Sequence, residues 1–371
     1  MQKLEQRHGS SVVATQLDDF ISRRRFLQGL AGGFVSSSML SGVAAEVIRE
    51  DKSKRQPFFR TRGVVLIPDD LTWADWPERA KAAGLTTIGL HHGASPNLVV
   101  KFVQSEIGQK FLEQCRKLNL HVEYELHAIK ELLPRELFAL DPTLFRMNEK
   151  GERVADSNLC VHSEIALEIA AEHAVGLAKI LRPTTDRYFF WGDDGRPWCR
   201  CPKCAGLSDS DQSLILENHL LKALRALNPK AQLAHLAYSN TLPPPKQIKP
   251  AHGVFLEFAP LEMRHRHPEV KFVDPPNRRF LDALDANLEV FGRDSAQALE
   301  YWLDVSMQSD WKKPAKKLVL DQTVLAADLD IYGARGIRHV TTFAVFIDAD
   351  YVKRFGEPSE LATYGNKLLT R

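Results

Sequence analysis

The stretch Trp191-Gly-Asp-Asp-Gly-Arg-Pro-Trp-Cys-Arg-Cys-Pro-Lys-Cys204 holds two carboxylates, two tryptophans and three cysteines. Carboxyl groups used in pairs cleave glycosidic bonds. One acts as general acid, the other as base or nucleophile, and their separation decides retention or inversion. Asp193 and Asp194 are neighbours. On a strand end their side chains diverge, so they cannot form a facing pair with each other. One of them needs a partner from another element, and Glu257 and Glu125 are the candidates. Alternatively, one Asp positions a substrate N-acetyl group while its neighbour protonates the leaving oxygen. A third reading is structural, because Asp-Gly into Gly195 is turn chemistry. Trp191 and Trp198 offer faces on which a sugar ring could stack.

The cysteines raise a separate question. Cys199, Cys201 and Cys204 form C-x-C-x-x-C, with zinc-knuckle spacing at Cys201–Cys204. Structural zinc takes four ligands, so this motif supplies three, and Cys160 or a histidine could complete the set. A disulfide with a spare thiol is the reading an oxidising compartment favours, and reduced, non-liganding thiols are a third. His91-His92, His127, His235 and Arg264-His-Arg-His267 invite a catalytic-metal reading. However, adjacent His91 and His92 diverge on a strand. Arg264 and Arg266 would grip a carboxylate or phosphate rather than sit beside a cation.

The elements that must carry these groups follow from periodicity. Strand patterns fall at 63–68, 86–92, 121–127, 187–192, 232–238, 253–258, 298–305 and 337–346. Between them lie helical patterns at 73–83, 97–118, 163–181, 211–227, 278–291 and 322–332, an insertion at 128–161 and a proline-rich crossover at 243–250. Eight strands alternating with mostly helical connections predict an α/β fold, a (β/α)8 TIM-type barrel. Reactive groups in such barrels sit at the C-terminal strand ends and in the loops that follow. That rule selects Asp69-Asp70, His91-His92, Glu125, His127, Asp193-Asp194, Tyr238, Glu257, Asp304 and Asp348. Carboxylates and histidines among aromatic residues suit a carbohydrate. No Gly-x-Gly-x-x-Gly follows the first strand and no Walker-type Lys is present, which removes the main support for a nucleotide site.

The chain has 371 residues, 44% hydrophobic and 26% charged, with a formal net charge of +2. That balance supplies no general field for nucleic acid or an anionic membrane. Five cysteines, three of them clustered, argue against a disulfide framework. Ser22-Arg-Arg-Arg-Phe-Leu-Gln28 resembles a twin-arginine export motif. A moderately apolar Gly/Ala/Ser-rich stretch then runs to Val43-Ala-Ala45, a signal-peptidase-like site. The expected organisation is a signal peptide at 1–45, a polar leader at 46–60 and a barrel at 61–371. The expected partner is the twin-arginine machinery, the expected location periplasmic or extracellular, and no membrane span would remain after cleavage.

Four features resemble the bacterial domain of unknown function 4838, a family often found in exported, glycosidase-like proteins. They are Asp193-Asp-Gly195 followed by the Cys199–Cys204 motif; Asn218; Leu236-Ala-Tyr238 followed by Pro243-Pro-Pro245; and Phe258-Ala-Pro260 followed by Arg264 and His267. The resemblance covers roughly 186–346 and is similar at a distance to α-glucuronidase and hexosaminidase barrels. It implies a carbohydrate-active barrel with an acid after strand four, at Asp193 or Asp194. The chain departs from the hexosaminidases in having Asp-Asp where they have Asp-Glu. The expected site therefore has Asp193, Asp194, Glu257 and Glu125 as catalytic candidates. Trp191, Trp198, His91, His92, His127, Tyr238, Arg264 and His267 would line it, with Cys199, Cys201 and Cys204 as a possible structural zinc site and no cofactor in the chemistry. The alternatives are a catalytically silent glycan-binding barrel and a metal-dependent hydrolase or isomerase.

Overall fold

Val64, Val65 and Leu66 are fully buried on the first strand, facing alternately outward and inward, as a strand closed into a barrel requires. A computed structural model describes residues 56–266, 271–275 and 277–371. The expected signal peptide at 1–45, most of the leader and His267 lie outside the described residues. Residues 56–138 and 142–371 form the barrel body. Phe59, inside the expected leader, is fully buried, so barrel packing begins before Thr61.

The strands are β1 (Thr61–Leu66), β2 (Thr87–Leu90), β3 (His121–His127), β4 (Arg187–Trp191), β5 (Gln232–Ala237), β6 (Val254–Phe258), β7 (Gln297–Glu300) and β8 (His339–Phe343). They pair in sequence order, and β8 closes on β1. Every pairing is parallel, with Val65 opposite Gly89 on one side and Phe343 on the other. This is the (β/α)8 barrel that the strand count predicts.

The helices in chain order are α1 (Trp76–Ala82), α2 (Pro96–Gln104), α3 (Glu106–Lys117), α4 (Ile129–Leu132), α5 (Glu164–Ile180), α6 (Asp209–Leu227) and α7 (Leu261–Arg266). They continue with α8 (Arg278–Phe291), α9 (Val305–Gln308), α10 (Gln322–Ala334), α11 (Ala349–Phe355) and α12 (Ser359–Leu369). The single helix expected over 97–118 is two, because Ser105 ends α2 and its hydroxyl caps α3 by accepting from the Gly108 amide at 3.1 Å. The strand expected to reach 305 stops at Glu300. The chain turns there, with the Asp304 amide bonded to the Tyr301 carbonyl at 3.1 Å, and Asp304 then caps α9. Among the described residues no helix is long and apolar enough to cross a membrane.

Two polar side chains of α6 fix the proline-rich crossover. Asp211 Oδ1 accepts from the amides of Lys246, Gln247 and Ile248 at 2.8–2.9 Å. The Asn218 side chain accepts from the Ala251 amide at 2.7 Å and donates to the Lys249 carbonyl at 3.0 Å. Asn218 thus holds the far end of the crossover that begins at Pro243–Pro245.

Candidate active site

Inward-facing residues stack in layers from the barrel floor to its C-terminal mouth. Glu123, Glu125 and His127 climb β3, and Arg187, Phe189 and Trp191 climb β4 at matching heights, with His127 in register with Trp191. Trp191 sets the boundary between the closed interior and the open mouth. Its indole N–H donates to Glu257 Oε2 at 2.8 Å, below it. Above it opens a cavity of about 330 Å³, bordered by His91, His127, Asp194, Tyr238, Tyr301 and Asp304 together with apolar side chains of the strand ends.

This geometry corrects two expectations. Glu125 and Glu257 are fully buried and neither borders the cavity. They sit one layer lower because inward-facing positions on a strand are two residues apart, and His127 and Ala259 occupy the rim above them. Glu257 also accepts from Gln297 Nε2 at 2.9 Å, and burial pushes its carboxyl up to about 8. Burial, with Glu257 and Glu123 nearby, holds Glu125 well above the usual carboxylate range. Arg187 supplies the layer's cation, bonded to Gln297 Oε1 at 3.0 Å and lying 4.0 Å over the Phe255 ring. Burial thus favours the protonated form of these acids, which lie in the layer beneath Trp191.

The Asp pair divides as the strand geometry requires. Asp193 turns away from the cavity. Its Oδ1 accepts from the Lys130 amide at 3.0 Å and its Oδ2 from the Asn158 amide at 2.6 Å. Asp194 borders the cavity with its side chain 57% exposed. It accepts from the Tyr238 hydroxyl at 2.9 Å and lies 3.7 Å from His127 Nε2. Gly195, at φ 59°, makes the turn that separates them from the cysteine loop.

The histidines are oriented by backbone carbonyls. His91 Nδ1 donates to the Glu125 carbonyl at 2.7 Å, and His127 Nδ1 to the Gly192 carbonyl at 2.6 Å. In the neutral form this leaves each Nε2 as an acceptor. Burial and the neighbouring His127 lower His91 to about 4, so it is neutral at physiological pH. His92 accepts from the Ala94 amide at 3.1 Å at the cavity edge. His235 faces outward from the barrel, bonded to Glu217 at 2.8 Å and stacked on Phe291 at 4.8 Å. Among the described residues the histidines therefore do not gather into a metal-ligating group. Among the described residues, the one group of metal-ligating side chains brought together is cysteine.

Two expected lining residues belong elsewhere. Trp198 is buried with its ring against Gly192 and does not border the cavity. Arg264, expected to grip a ligand, is buried in an ion-pair cluster with Glu300 at 2.7 Å and Asp328 at 2.5 Å, under the Phe272 and Trp302 rings. A buried guanidinium with two carboxylates already supplied has its charge answered within the fold.

One group outside the leading candidates sits on the cavity wall. Asp304, after β7, is 4% exposed, and burial raises it to about 6. Its Oδ1 takes all the cap bonds, from the Ser306 amide at 2.9 Å, the Ser306 hydroxyl at 2.6 Å and the Met307 amide at 3.2 Å. Oδ2 remains to carry a proton. The Asp304-Val-Ser306 cap pattern was the available signal, masked by the apolar run that reads as continued strand.

Beside the site, Cys160 completes the tetrad of Cys199, Cys201 and Cys204. All four are buried, none is disulfide-bonded, and their sulfurs lie within 4.8 Å of one another. That donor set could hold a metal.

The fold is shared with glycoside hydrolase barrels. A GH42 β-galactosidase, Gan42B, superimposes with a TM-score of 0.51 at 13% identity, over 85% of this chain and 57% of that one. A catalytic mutant of Gan42B from G. stearothermophilus gives 0.50 at 13% identity, again over 85% and 57%. A chitinase from Rhizomucor miehei gives 0.48 at 11%, over 82% of this chain and 99% of that one. The chain thus spans less than two thirds of the length of Gan42B. Likeness at this identity is likeness of fold. No curated protein matches the sequence significantly. A family model described as a domain of unknown function, DUF4838, matches residues 46–292. It takes in β1–β6, both connections that carry the cysteines, Asp193-Asp194 and the Asn218 clamp, and the chain belongs to that family.

Proposed function

We propose that the protein is a carbohydrate-active enzyme of glycoside hydrolase type, with Asp304 as general acid and Asp194 as its partner carboxyl. One observation carries this reading: two carboxyl groups, from the ends of β4 and β7, border one aromatic-walled cavity at the barrel's C-terminal mouth. Asp304 has the raised proton affinity of an acid that must be protonated near neutrality. Asp194, held by Tyr238 and exposed to the cavity, would act as base or nucleophile. Trp191, Tyr238 and Tyr301 line the cavity with aromatic surface against which a pyranose would pack, and His91 offers an acceptor to its hydroxyls. The name β-galactosidase on a protein of the same fold agrees with a sugar substrate.

The proposal includes export by the twin-arginine route to the periplasm or cell exterior. Its support is the Arg-Arg-Phe-Leu motif and the beginning of the family match at residue 46, directly after the expected cleavage position.

The test is turnover of a panel of aryl glycosides and plant or algal polysaccharides by wild type, Asp194→Asn and Asp304→Asn. Loss of roughly 10²–10⁴ in kcat/KM in each variant, with unchanged circular dichroism, is expected. Turnover indifferent to both substitutions overturns the assignment. A sugar bound in calorimetry without turnover in wild type identifies a glycan-binding barrel instead.

A further inference from the structure

The cysteine tetrad joins two segments distant in sequence. Cys160 lies in the β3–α5 connection, and Cys199, Cys201 and Cys204 lie in the β4–α6 connection. Cys160 Sγ is 3.8 Å from Cys201 Sγ and 4.0 Å from Cys204 Sγ. Bonded disulfide sulfurs stand about 2.05 Å apart. Four thiolates at about 2.3 Å from a zinc ion mark a tetrahedron with edges of roughly 3.8 Å. The two Cys160 spacings are close to that edge and far from a disulfide's, and all four sulfurs lie within 4.8 Å of one another.

The surroundings suit thiolates. Cys199 Sγ accepts from the Met147 amide at 3.3 Å, the Cys201 amide at 3.5 Å and the Arg153 guanidinium at 3.7 Å. His162 Nδ1 lies 3.2 Å from Cys204 Sγ, in reach as an outer donor. N–H donors directed at sulfur hold the charge of metal-bound thiolates and orient them.

We propose that the chain binds one zinc ion as a closed tetrathiolate through Cys160, Cys199, Cys201 and Cys204. With four protein ligands and no open position, the ion is structural. What it braces is specific. Two residues before Cys160, Asn158 adopts φ 43° and locks onto the β4 loop. Its amide donates to Asp193 Oδ2 at 2.6 Å and its side-chain oxygen accepts from the Asp193 amide at 2.9 Å. Its side-chain nitrogen bonds the carbonyls of Arg196 and Pro197 at 3.2 and 3.1 Å. Zinc holds the Cys160 segment and the Cys199–Cys204 loop together, and Asn158 passes that restraint to Asp193, the residue before Asp194.

The test is the metal content of the full chain purified without chelator, by mass spectrometry of the elements. About one zinc per chain is expected in wild type and in Cys115→Ser, whose cysteine lies on α3 outside the tetrad. Near-zero zinc is expected in Cys160→Ser and Cys201→Ser. A second measurement on wild type needs no variant to fold. Chelation should speed amide exchange in peptides containing Asn158 and Asp193, and leave β8 peptides unchanged. Cobalt taken up in its place should give the visible bands of tetrahedral thiolate ligation. A disulfide at Cys160 in the intact mass, iron in place of zinc, or no metal after incubation with zinc overturns the proposal. So does zinc kept by Cys160→Ser but lost by His162→Ala. None of these readouts involves glycoside turnover, so they stand or fall apart from the hydrolase reading.

Discussion

Asp193 and Asp194 have the same chemistry and different work, and the difference is set by what surrounds them. Asp193 spends both oxygens on backbone amides of the preceding connection, whereas Asp194 keeps its carboxyl in the cavity with one phenol as partner. Asp304 combines the two situations, one oxygen fixed by a helix cap and the other left over. Its burial makes the carboxyl hold its proton to about pH 6. A general acid works only when protonated, so kcat/KM should fall as pH rises through about 6, approaching tenfold per pH unit above it. Asp304→Asn should remove that limb of the profile. Aryl glycosides with good leaving groups need little protonation and should lose far less than alkyl glycosides. A pH profile whose alkaline limb survives in Asp304→Asn would assign the proton to another group.

Elements are held in place by a few close approaches, and glycines mark where these are essential. Gly365 on α12 faces the Ala83 carbonyl so closely that an added Cβ would lie 1.8 Å from its oxygen. Backbone cannot give way as a side-chain tip can, so Gly365→Ala should push α12 off α1 and destabilise the fold by roughly 1–3 kcal/mol. Gly176, exposed within α5, has nothing within 4 Å of its missing Cβ. There Gly176→Ala should stabilise by about 0.5–1 kcal/mol, through helix propensity alone. Thermal unfolding of the two variants should therefore shift in opposite directions, and a loss in both would mean α5 is not limited by propensity. The eight strands were legible because alternation and turn residues are local signals; β3 and α8 match their expected bounds. The break at Ser105 and the end of β7 at Glu300 were not, because apolar periodicity runs through both. At the site, Tyr238, His91 and His127 were legible from strand-end position, as was an acid at Asp194. The depth of Glu125 and Glu257 was not, since alternation tells inward from outward but not how far down the barrel a residue sits. Cys160 was one of several possible fourth ligands, and only the folded β3–α5 connection brings it to the others.

Among the described residues the buried carboxyl groups outnumber the buried basic side chains. Burial raises Asp70 and Glu257 to about 8, in addition to Asp304. Each of these carboxyls holds a proton in the fold at a pH where the unfolded chain has released it. Their stabilising contribution is therefore complete below the unfolded value near 4 and is lost as pH rises through the folded values. Two half-buried histidines oppose this at the acid end. His91 is lowered to about 4 and His339 to about 3 by burial, so both stay neutral while the unfolded chain takes up protons below about 6.5. Between about pH 6.5 and 8.5 the histidines are neutral in both states and only the carboxyls act. Thermal stability should fall over that interval, and the gain on going below about pH 6.5 should be blunted by His91 and His339. Glu257→Gln isolates one contribution, since the amide oxygen can still accept from Trp191 Nε1 and the group no longer titrates. Melting curves at about pH 6.5 and 8.5, at constant zinc, should show a smaller drop in Glu257→Gln than in wild type. If the two drops were equal, Glu257 would be ionised in the fold already, compensated by Arg187. An Arg187–Glu257 ion pair beneath Trp191 would then replace a guanidinium beside a protonated carboxyl.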